Sequence, residues 1–196
     1  MHDLGRNEDR LRGTYEFPFE FHHIDSTHPR YVMSYHWHVE CEIMRILQGT
    51  LTVTLDEKSF TAKAGDVIFV NSGVLHSGIP HDCIYQCIVF DMNMFLKFNS
   101  VCTEYMQKIS HQELLIYHHF TEKQPDIQRA VNSLFDSFWQ KKPGYELVVF
   151  GQFYHFFGLV FGNHYYLESL RKTRRDYKRI VQLKQVVEFI EKNYTN

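Results

Sequence analysis

The chain has 196 residues, of which 44% are hydrophobic and 16% aromatic, and its formal net charge is -2 at pH 7. This length suits one sizeable domain with an appendage, and the charge excludes nucleic-acid binding through bulk basicity. The sequence has neither a membrane-length apolar run nor an apolar signal-peptide core, so we expect no membrane contact and a cytoplasmic location. The cysteines, at positions 41, 83, 87 and 102, fit reduced thiols better than a disulfide framework.

The N-terminal region divides into an arm and a first strand. Residues 1–13 are polar and charged, and they are predicted to form a mobile arm. Aromatic residues then alternate with other residues from Tyr15 to Phe21, which is the period-two pattern of a strand. Pro18 favours an edge strand or a bulge. These aromatic side chains are expected to pack in the core or at its edge, although a share of them could line a pocket.

A second strand carries two histidines. Residues 31–35 are rich in aromatic and β-branched side chains, which predicts a strand that leads into His36, Trp37 and His38. Side chains two residues apart on a strand share a face, so His36 and His38 point the same way and Trp37 points the other way. Glu42 follows four residues after His38.

The alternation continues beyond Glu42. It places Met44 on the face of Glu42 and Arg45 on the opposite, exterior face. Gln48-Gly49 is predicted to be a turn. A further strand runs over residues 84–90, and the pattern leaves open whether Tyr85 or Gln86 faces the interior. Short strands with turns every eight to ten residues indicate an antiparallel barrel or sandwich.

A third histidine follows a second glycine-rich stretch. Gly65 precedes a buried-looking strand, Gly73 marks a turn, and His76 comes directly after it. Three imidazoles and a carboxylate make a complete nitrogen and oxygen ligand set for a divalent metal such as Zn, Ni, Fe or Mn. The candidate ligands are His36, His38, Glu42 and His76. The alternative is that they are polar lining residues of a metal-free barrel, or core histidines.

The second half of the chain changes to helical periodicity. Residues from about 91 to 116 show no clean period and are expected to be loop with short helical pieces. A helix is predicted to begin at Pro125 and to end before Pro143-Gly144, and a second helix covers residues 147–161. The second helix carries more apolar surface than one core-facing stripe needs. We therefore expect a homodimer through residues 125–166, the alternative being burial of both faces within one chain.

The C-terminal region joins a basic run to an apolar stripe. Residues 171–179 contain six lysines and arginines, which most simply form a solvated linker. The stripe Ile180, Leu183, Val187 and Ile190 then predicts an amphipathic helix. Such a helix begins a new core and has no core to join, so the chain is expected to be cut off at this point.

Two motifs resemble those of a known fold family. His36, His38, Glu42 and Gly49 form the pattern H-x-H-x3-E-x6-G, which resembles the first cupin motif. Residues 65–76 resemble the second, with Asn71 where proline is usual and Pro80 where the closing asparagine is usual. The order of barrel, hairpin, basic run and helix resembles the AraC family of transcriptional regulators.

The resemblance implies a mainly β fold with C-terminal helices. It divides the chain into a cupin-like antiparallel β-barrel (jelly roll) at residues 14–120, a dimerising helical hairpin at 121–168, and a linker with the first helix of a truncated helix-turn-helix domain at 169–196. The barrel would sense a small polar metabolite, which is predicted to be a sugar. DNA would be bound only through the missing C-terminal domain.

The resemblance also implies a ligand-binding role for His36, His38, Glu42 and His76. Alternation adds Met44 to the predicted ligand-binding residues, because it shares the face of Glu42. The N-terminal arm could fold over a filled pocket. The alternative function is a metal-dependent cupin enzyme, such as a dioxygenase or isomerase, with Glu42 or a nearby tyrosine as acid and base. The basic run and the amphipathic stripe argue against an enzyme.

Overall fold

The computed structural model describes residues 6–7, 12–97, 101–169, 182 and 186. Within them lie ten strands, which are β1 (Arg6–Asn7), β2 (Phe19–Ile24), β3 (Met33–Trp37), β4 (Cys41–Leu55), β5 (Lys58–Lys63), β6 (Val67–Val70), β7 (His76–Phe90), β8 (Leu114–Ile116), β9 (His119–Phe120) and β10 (Tyr166–Glu168). The helices in the same residues are a 3-10 helix (Met92–Leu96), α1 (Thr103–Ser110), α2 (Pro125–Gln140) and α3 (Tyr145–Gly162).

The two 15-residue strands β4 and β7 form the centre of an eight-stranded sheet. They pair antiparallel along their whole length, from Cys41 opposite Phe90 to Leu55 opposite His76. Strands β2, β3, β5, β6 and β9 add antiparallel pairs, and only the short β1 pairs parallel among the described strands. The prediction of a mainly antiparallel β fold with C-terminal helices is confirmed.

Alternation along the central strands separates two apolar clusters. Met44, Tyr85 and Cys87 point into the interior of the barrel. Ile43 and Ile88 point the other way, toward the helices. The register settles the choice at residues 85 and 86, because Tyr85 is buried in the interior cluster while Gln86 faces α2. Cys41, Cys83, Cys87 and Cys102, all within the described residues, form no disulfide.

The helical hairpin packs on the outer face of the sheet. Helix α2 begins with Pro125 at its first turn and ends at Gln140, and the following residue, Lys141, caps it in a left-handed conformation. Phe153 of α3 stacks on Phe19 with ring centroids 5.1 Å apart, and it also meets Phe90 at 4.5 Å. Both helices predicted from the periodicity are confirmed. None of the described helices is long and apolar enough to cross a membrane.

The predicted turn at Gly49 is wrong. Strand β4 runs through this residue, and the pairing register with β7 shifts between Gln48 and Thr50, which is a β-bulge. Gly49 has a φ of 66°, and a Cβ there would collide with the carbonyl oxygen of Asp82. The glycine therefore bends one long strand instead of separating two short ones.

The exterior placement of Arg45 also needs correction. Its side chain lies on the face opposite Met44, as predicted, but the residue is only 8% exposed. Helix α2 covers it, and Arg45 Nη2 lies 2.8 Å from Asp136 Oδ1. Arg45 Nε also donates to Gln86 Oε1 at 2.8 Å. This guanidinium joins the sheet to the hairpin.

The described part of the predicted mobile arm is packed on the barrel. Arg6–Asn7 pair with His36 and Trp37 as strand β1. Arg12 is buried and donates to Glu20 Oε2 at 2.8 Å. Residues 1–5 and 8–11 lie outside the described residues, as do the predicted linker and terminal helix at 170–196 apart from residues 182 and 186.

Candidate metal centre

Three strands bring the four predicted ligands together. His36 lies near the end of β3, Glu42 near the start of β4, and His76 begins β7. His36 and His76 are paired across β3 and β7, and His38 stands in the turn between β3 and β4. One ligand atom from each of the four residues lies within 4.8 Å of the other three. The structure thus brings together residues that are up to 40 positions apart in the sequence.

Backbone carbonyls fix the tautomer of each imidazole. His36 Nδ1 lies 2.8 Å from Ser34 O, His38 Nδ1 lies 3.1 Å from Glu40 O, and His76 Nδ1 lies 2.9 Å from Val74 O. A carbonyl oxygen can only accept, so each Nδ1 carries the proton. Each neutral ring therefore presents the Nε2 lone pair to the cluster, which is the arrangement that metal-binding histidines use.

The centre of the cluster is rich in acceptors. Glu42 Oε2 lies 3.2 Å from His76 Nε2 and 3.6 Å from His38 Nε2. Both Nε2 atoms are buried and make no hydrogen bond. A carboxylate that faces two imidazole lone pairs requires a cation, either a proton on one ring or a metal ion. Ligand atoms about 2.1 Å from one ion lie about 3 to 4 Å apart, so the donor set fits a divalent metal.

The titration of the cluster follows from its burial. Burial and the neighbouring charge of His76 lower the pKa of His36 to about 4, so its ring is neutral at pH 7. Burial alone would raise the pKa of Glu42, but N–H donation and positive charge from the imidazoles of His38 and His76, which require a proton on an Nε2 atom, hold it well below its usual range in the metal-free chain. A neutral imidazole and an ionised carboxylate are the protonation states that metal binding needs.

The β6–β7 loop positions two of the histidines. Gly73 N donates to His38 O at 2.8 Å, and the Ser72 hydroxyl donates to Val39 O. Asn71 stands where the cupin motif usually has proline. Its side chain exchanges two hydrogen bonds with the backbone of Ile116, at 2.8 and 3.0 Å. These bonds tie the loop between β6 and His76 to both the first histidine motif and β8.

A cavity of about 290 Å³ opens onto the cluster. Of the predicted ligand-binding residues, His36, His38 and Glu42 line it. His76 is completely buried behind them. Met44 shares the inward face of Glu42, but it has no exposed surface and lies in the apolar interior cluster. Met44 therefore offers no surface to a ligand in this conformation.

The cavity also has walls that were not predicted. Its further lining residues include Arg12, Arg30, Tyr35, Tyr85 and Cys87. Burial and the Glu42 carboxylate hold the pKa of the Cys87 thiol well above its usual value. Strand alternation could have placed Cys87 beside Glu42 once the β4–β7 register was known. Arg12 carries no such signal, because it lies in the segment predicted to be a mobile arm.

The comparison with known families decides the assignment of the chain. A family model described as the AraC-like ligand binding domain matches residues 18–157. The chain belongs to this family. The resemblance to AraC-type regulators is thereby confirmed, together with a cupin-like antiparallel fold that is followed by helices.

Individual relatives of this AraC-like ligand-binding domain match over shorter stretches. An uncharacterized HTH-type transcriptional regulator, YdeC of Bacillus subtilis (strain 168), is 36% identical over 56 residues, which cover 27% of this chain and 19% of that protein. Oxalate decarboxylase of Bacillus subtilis matches with a TM-score of 0.28 and 25% identity, over 31% of this chain and 18% of the enzyme. A protein of unknown function from Streptococcus pyogenes matches with a TM-score of 0.32 and 16% identity, over 37% of this chain and 62% of that one.

Proposed function

We propose that this chain is the effector-sensing part of a transcriptional regulator, and that a divalent metal held by His36, His38, Glu42 and His76 forms the polar end of its effector site. The family supports the sensing role. One observation carries the metal: three imidazoles with backbone-bonded Nδ1 atoms and one buried carboxylate each place a ligand atom within 4.8 Å of the other three. Such orphaned acceptors fit a cation better than an apolar core.

The effector is a small polar metabolite. Four protein ligands leave open positions on a six-coordinate ion such as Mn, Fe or Ni, and polar atoms of the effector can fill them. A cavity of about 290 Å³ limits the effector to a small molecule. Tyr35 is 41% exposed and lies in the wall, where its ring can stack on an apolar face of the effector. A sugar meets these requirements and stays a prediction.

The metal assignment is tested by removing two ligands. The double variant His36→Ala/His76→Ala is expected to lose metal uptake, measured by equilibrium dialysis of the chelator-stripped chain followed by elemental analysis. The matched control replaces two exposed histidines, His81→Ala/His155→Ala, and keeps the metal. Equal metal content in the two double variants would refute the ligand assignment.

The outer face of α3 supports a homodimer through residues 125–166. Leu147 is 80% exposed and Val148 is 44% exposed on this face. Gly151 and Gly158 are also exposed there, and a Cβ at either position would meet nothing within 4 Å. A second copy can therefore approach the helix closely and cover these leucine and valine side chains.

Regulation follows from coupling between the effector site in the barrel and the dimer interface on the helical hairpin. An effector that binds one arrangement of the dimer more tightly shifts the population toward that arrangement. DNA contact belongs to a helix-turn-helix domain of the complete regulator, which agrees with the description of YdeC as an HTH-type regulator. The sensing barrel itself is not proposed to read DNA.

A metal-dependent enzyme, such as a dioxygenase or isomerase, is the second candidate. The observation in its favour is the same four-ligand set with open coordination positions. The two functions differ in the fate of the bound molecule. The regulator predicts that the effector is recovered unchanged after prolonged incubation with the metal-loaded chain, whereas the enzyme predicts a product detectable by mass spectrometry.

A further inference from the structure

A second concave surface lies beside the short β8–β10 sheet. This β8–β10 groove has a volume of about 1040 Å³. Apolar surface dominates its lining, and the apolar side chains there are Leu55, Phe60, Val74, Leu75, Leu115, Ile116, Tyr117 and Leu167. Leu167 is 62% exposed and Tyr117 is 39% exposed. An apolar surface of this kind, left open in a folded domain, marks a docking site.

We infer that the chain's own segment 170–196 docks in the β8–β10 groove through the apolar stripe Ile180, Leu183, Val187 and Ile190. Helices bind apolar grooves through anchors at spacings of three, four and seven residues, and this stripe has that spacing. The segment starts at the groove itself. Leu167 lines the groove and pairs with Leu115 across β10 and β8, only three residues before position 170.

The length of the intervening chain allows this contact. Ser169 N donates to Glu113 O at 2.8 Å, which fixes the point where the chain leaves β10. Eleven peptide steps separate Ser169 from Ile180, and they span at most about 38 Å when fully extended. The groove is therefore within reach of the stripe of the same chain.

Charge also favours this occupant. The tip of the β4–β5 hairpin presents Asp56 and Glu57 to the groove beside one cation, Lys58. Glu113 and Glu168 are exposed next to the point where the chain leaves the sheet. Residues 171–179 contain six lysines and arginines and one aspartate. A basic linker beside an acidic rim steers the apolar stripe toward the groove.

The groove shares a wall with the metal cluster. The β6–β7 loop lines the groove with residues 71–75, and it continues directly into His76. The same loop holds the carbonyl of His38 through Gly73 N. A metal ion or effector bound at the cluster can therefore change the docking of the segment through this loop. This consequence rests on the proposed function, whereas docking itself does not.

Site-specific cross-linking of the whole chain tests the docking. The photoreactive residue p-benzoylphenylalanine replaces Phe60, a groove residue far from the segment in sequence. Equal amounts of ¹⁴N- and ¹⁵N-labelled chain are mixed before illumination, and mass spectrometry separates links within one chain from links between two. The expected result is an intramolecular link from position 60 to residues 180–190.

Variants in the segment then decide whether the stripe is responsible. Leu183→Asp places a charge in the apolar stripe and is expected to lower the yield of that link by about tenfold. Gln182→Asp introduces the same charge at an exposed neighbouring residue and keeps the yield. Absence of the intramolecular link, an equal yield in the two variants, or links only between chains would overturn the docking.

The same samples separate this inference from the proposed function. Metal uptake is measured on each of them. A chain that takes up metal but forms no link contradicts the docking alone. A chain that forms the link but takes up no metal contradicts the metal site alone.

Discussion

His76 Nε2 lies 3.2 Å from Glu42 Oε2, although the Nδ1 atom of the same ring already donates its proton to Val74 O. The contact therefore joins a lone pair and a carboxylate unless a cation lies between them. Both side chains are almost completely buried, so water does not relieve the repulsion. This relationship distinguishes the cluster from an ordinary satisfied core histidine.

Glu42→Gln should change metal affinity and metal-free stability in opposite ways. The amide removes the anionic ligand, so the metal dissociation constant should rise by about 100-fold or more. In the metal-free chain the amide N–H can donate to a neighbouring Nε2, so the urea midpoint should stay the same or rise. Chelator competition and urea denaturation measure the two effects. Glu16→Gln, at an exposed carboxylate, is the control, and an unchanged affinity in Glu42→Gln would contradict the metal site.

The metal-free chain should lose stability as the pH falls from about 6.5 to about 4. The pKa of His36 is lowered to about 4 in the folded chain by burial and by the charge of His76. The unfolded chain, with a pKa near 6.5, therefore binds more protons in this window, and the free energy of unfolding decreases with decreasing pH. Denaturation at pH 7 and pH 5 measures the slope. His36→Gln should flatten it and His81→Gln should not, so equal slopes in all three chains would contradict the shift.

Arg45→Met should destabilise the fold by about 2 kcal/mol or more, because it leaves the buried Gln86 Oε1 without its donor. Arg45 Nε is the donor to Gln86 Oε1, and Gln86 is only 2% exposed. The control is Arg129→Met on α2, where the pair with Asp126 is exposed and should contribute about 0.5 kcal/mol or less. Urea denaturation compares the two variants. Similar losses would show that the Arg45 contacts do not stabilise the packing of α2 on the sheet.

Leu147→Glu should weaken the proposed dimer. The change puts a charge at the most exposed apolar position of α3, and an isologous interface contains it twice. The dimer dissociation constant should rise by about tenfold or more, measured by sedimentation equilibrium. Val101→Glu is the control, because Val101 is 90% exposed and lies outside the hairpin. A wild-type chain that is monomeric at high concentration would contradict the dimer itself.

Local periodicity predicted most of the fold, and it was wrong where distant elements meet. The limits of α2 follow from Pro125 and the break at Pro143, which are properties of neighbouring residues. Alternation placed Arg45 on the correct face of β4, but the helix that buries it lies about 90 positions later in the chain. The Gly49 bulge likewise depends on Asp82 of the paired strand.

In the candidate site, too, local spacing predicted part of the arrangement, and the pairing of distant strands decided the rest. The spacing of His36 and His38 predicted a common face, because i and i+2 side chains on a strand share one. The two ring centroids lie 5.7 Å apart, although His38 stands just beyond β3. The distance from His76 to Glu42 depends on the pairing of β3, β4 and β7, which no local pattern encodes. Met44 was assigned by alternation alone. The structure buries it in the apolar interior. Alternation predicts the face on which a side chain lies, but not whether other side chains cover it.

The most direct test of the central claim is X-ray absorption spectroscopy of the chelator-stripped chain after it is loaded with one equivalent of zinc. The account predicts imidazole scattering from three rings, with nitrogen and carboxylate oxygen ligands at about 2.0 to 2.2 Å. The His36→Ala/His76→Ala variant should lose most of that scattering. A spectrum of zinc surrounded only by oxygen, without imidazole, would contradict a metal held by His36, His38, Glu42 and His76.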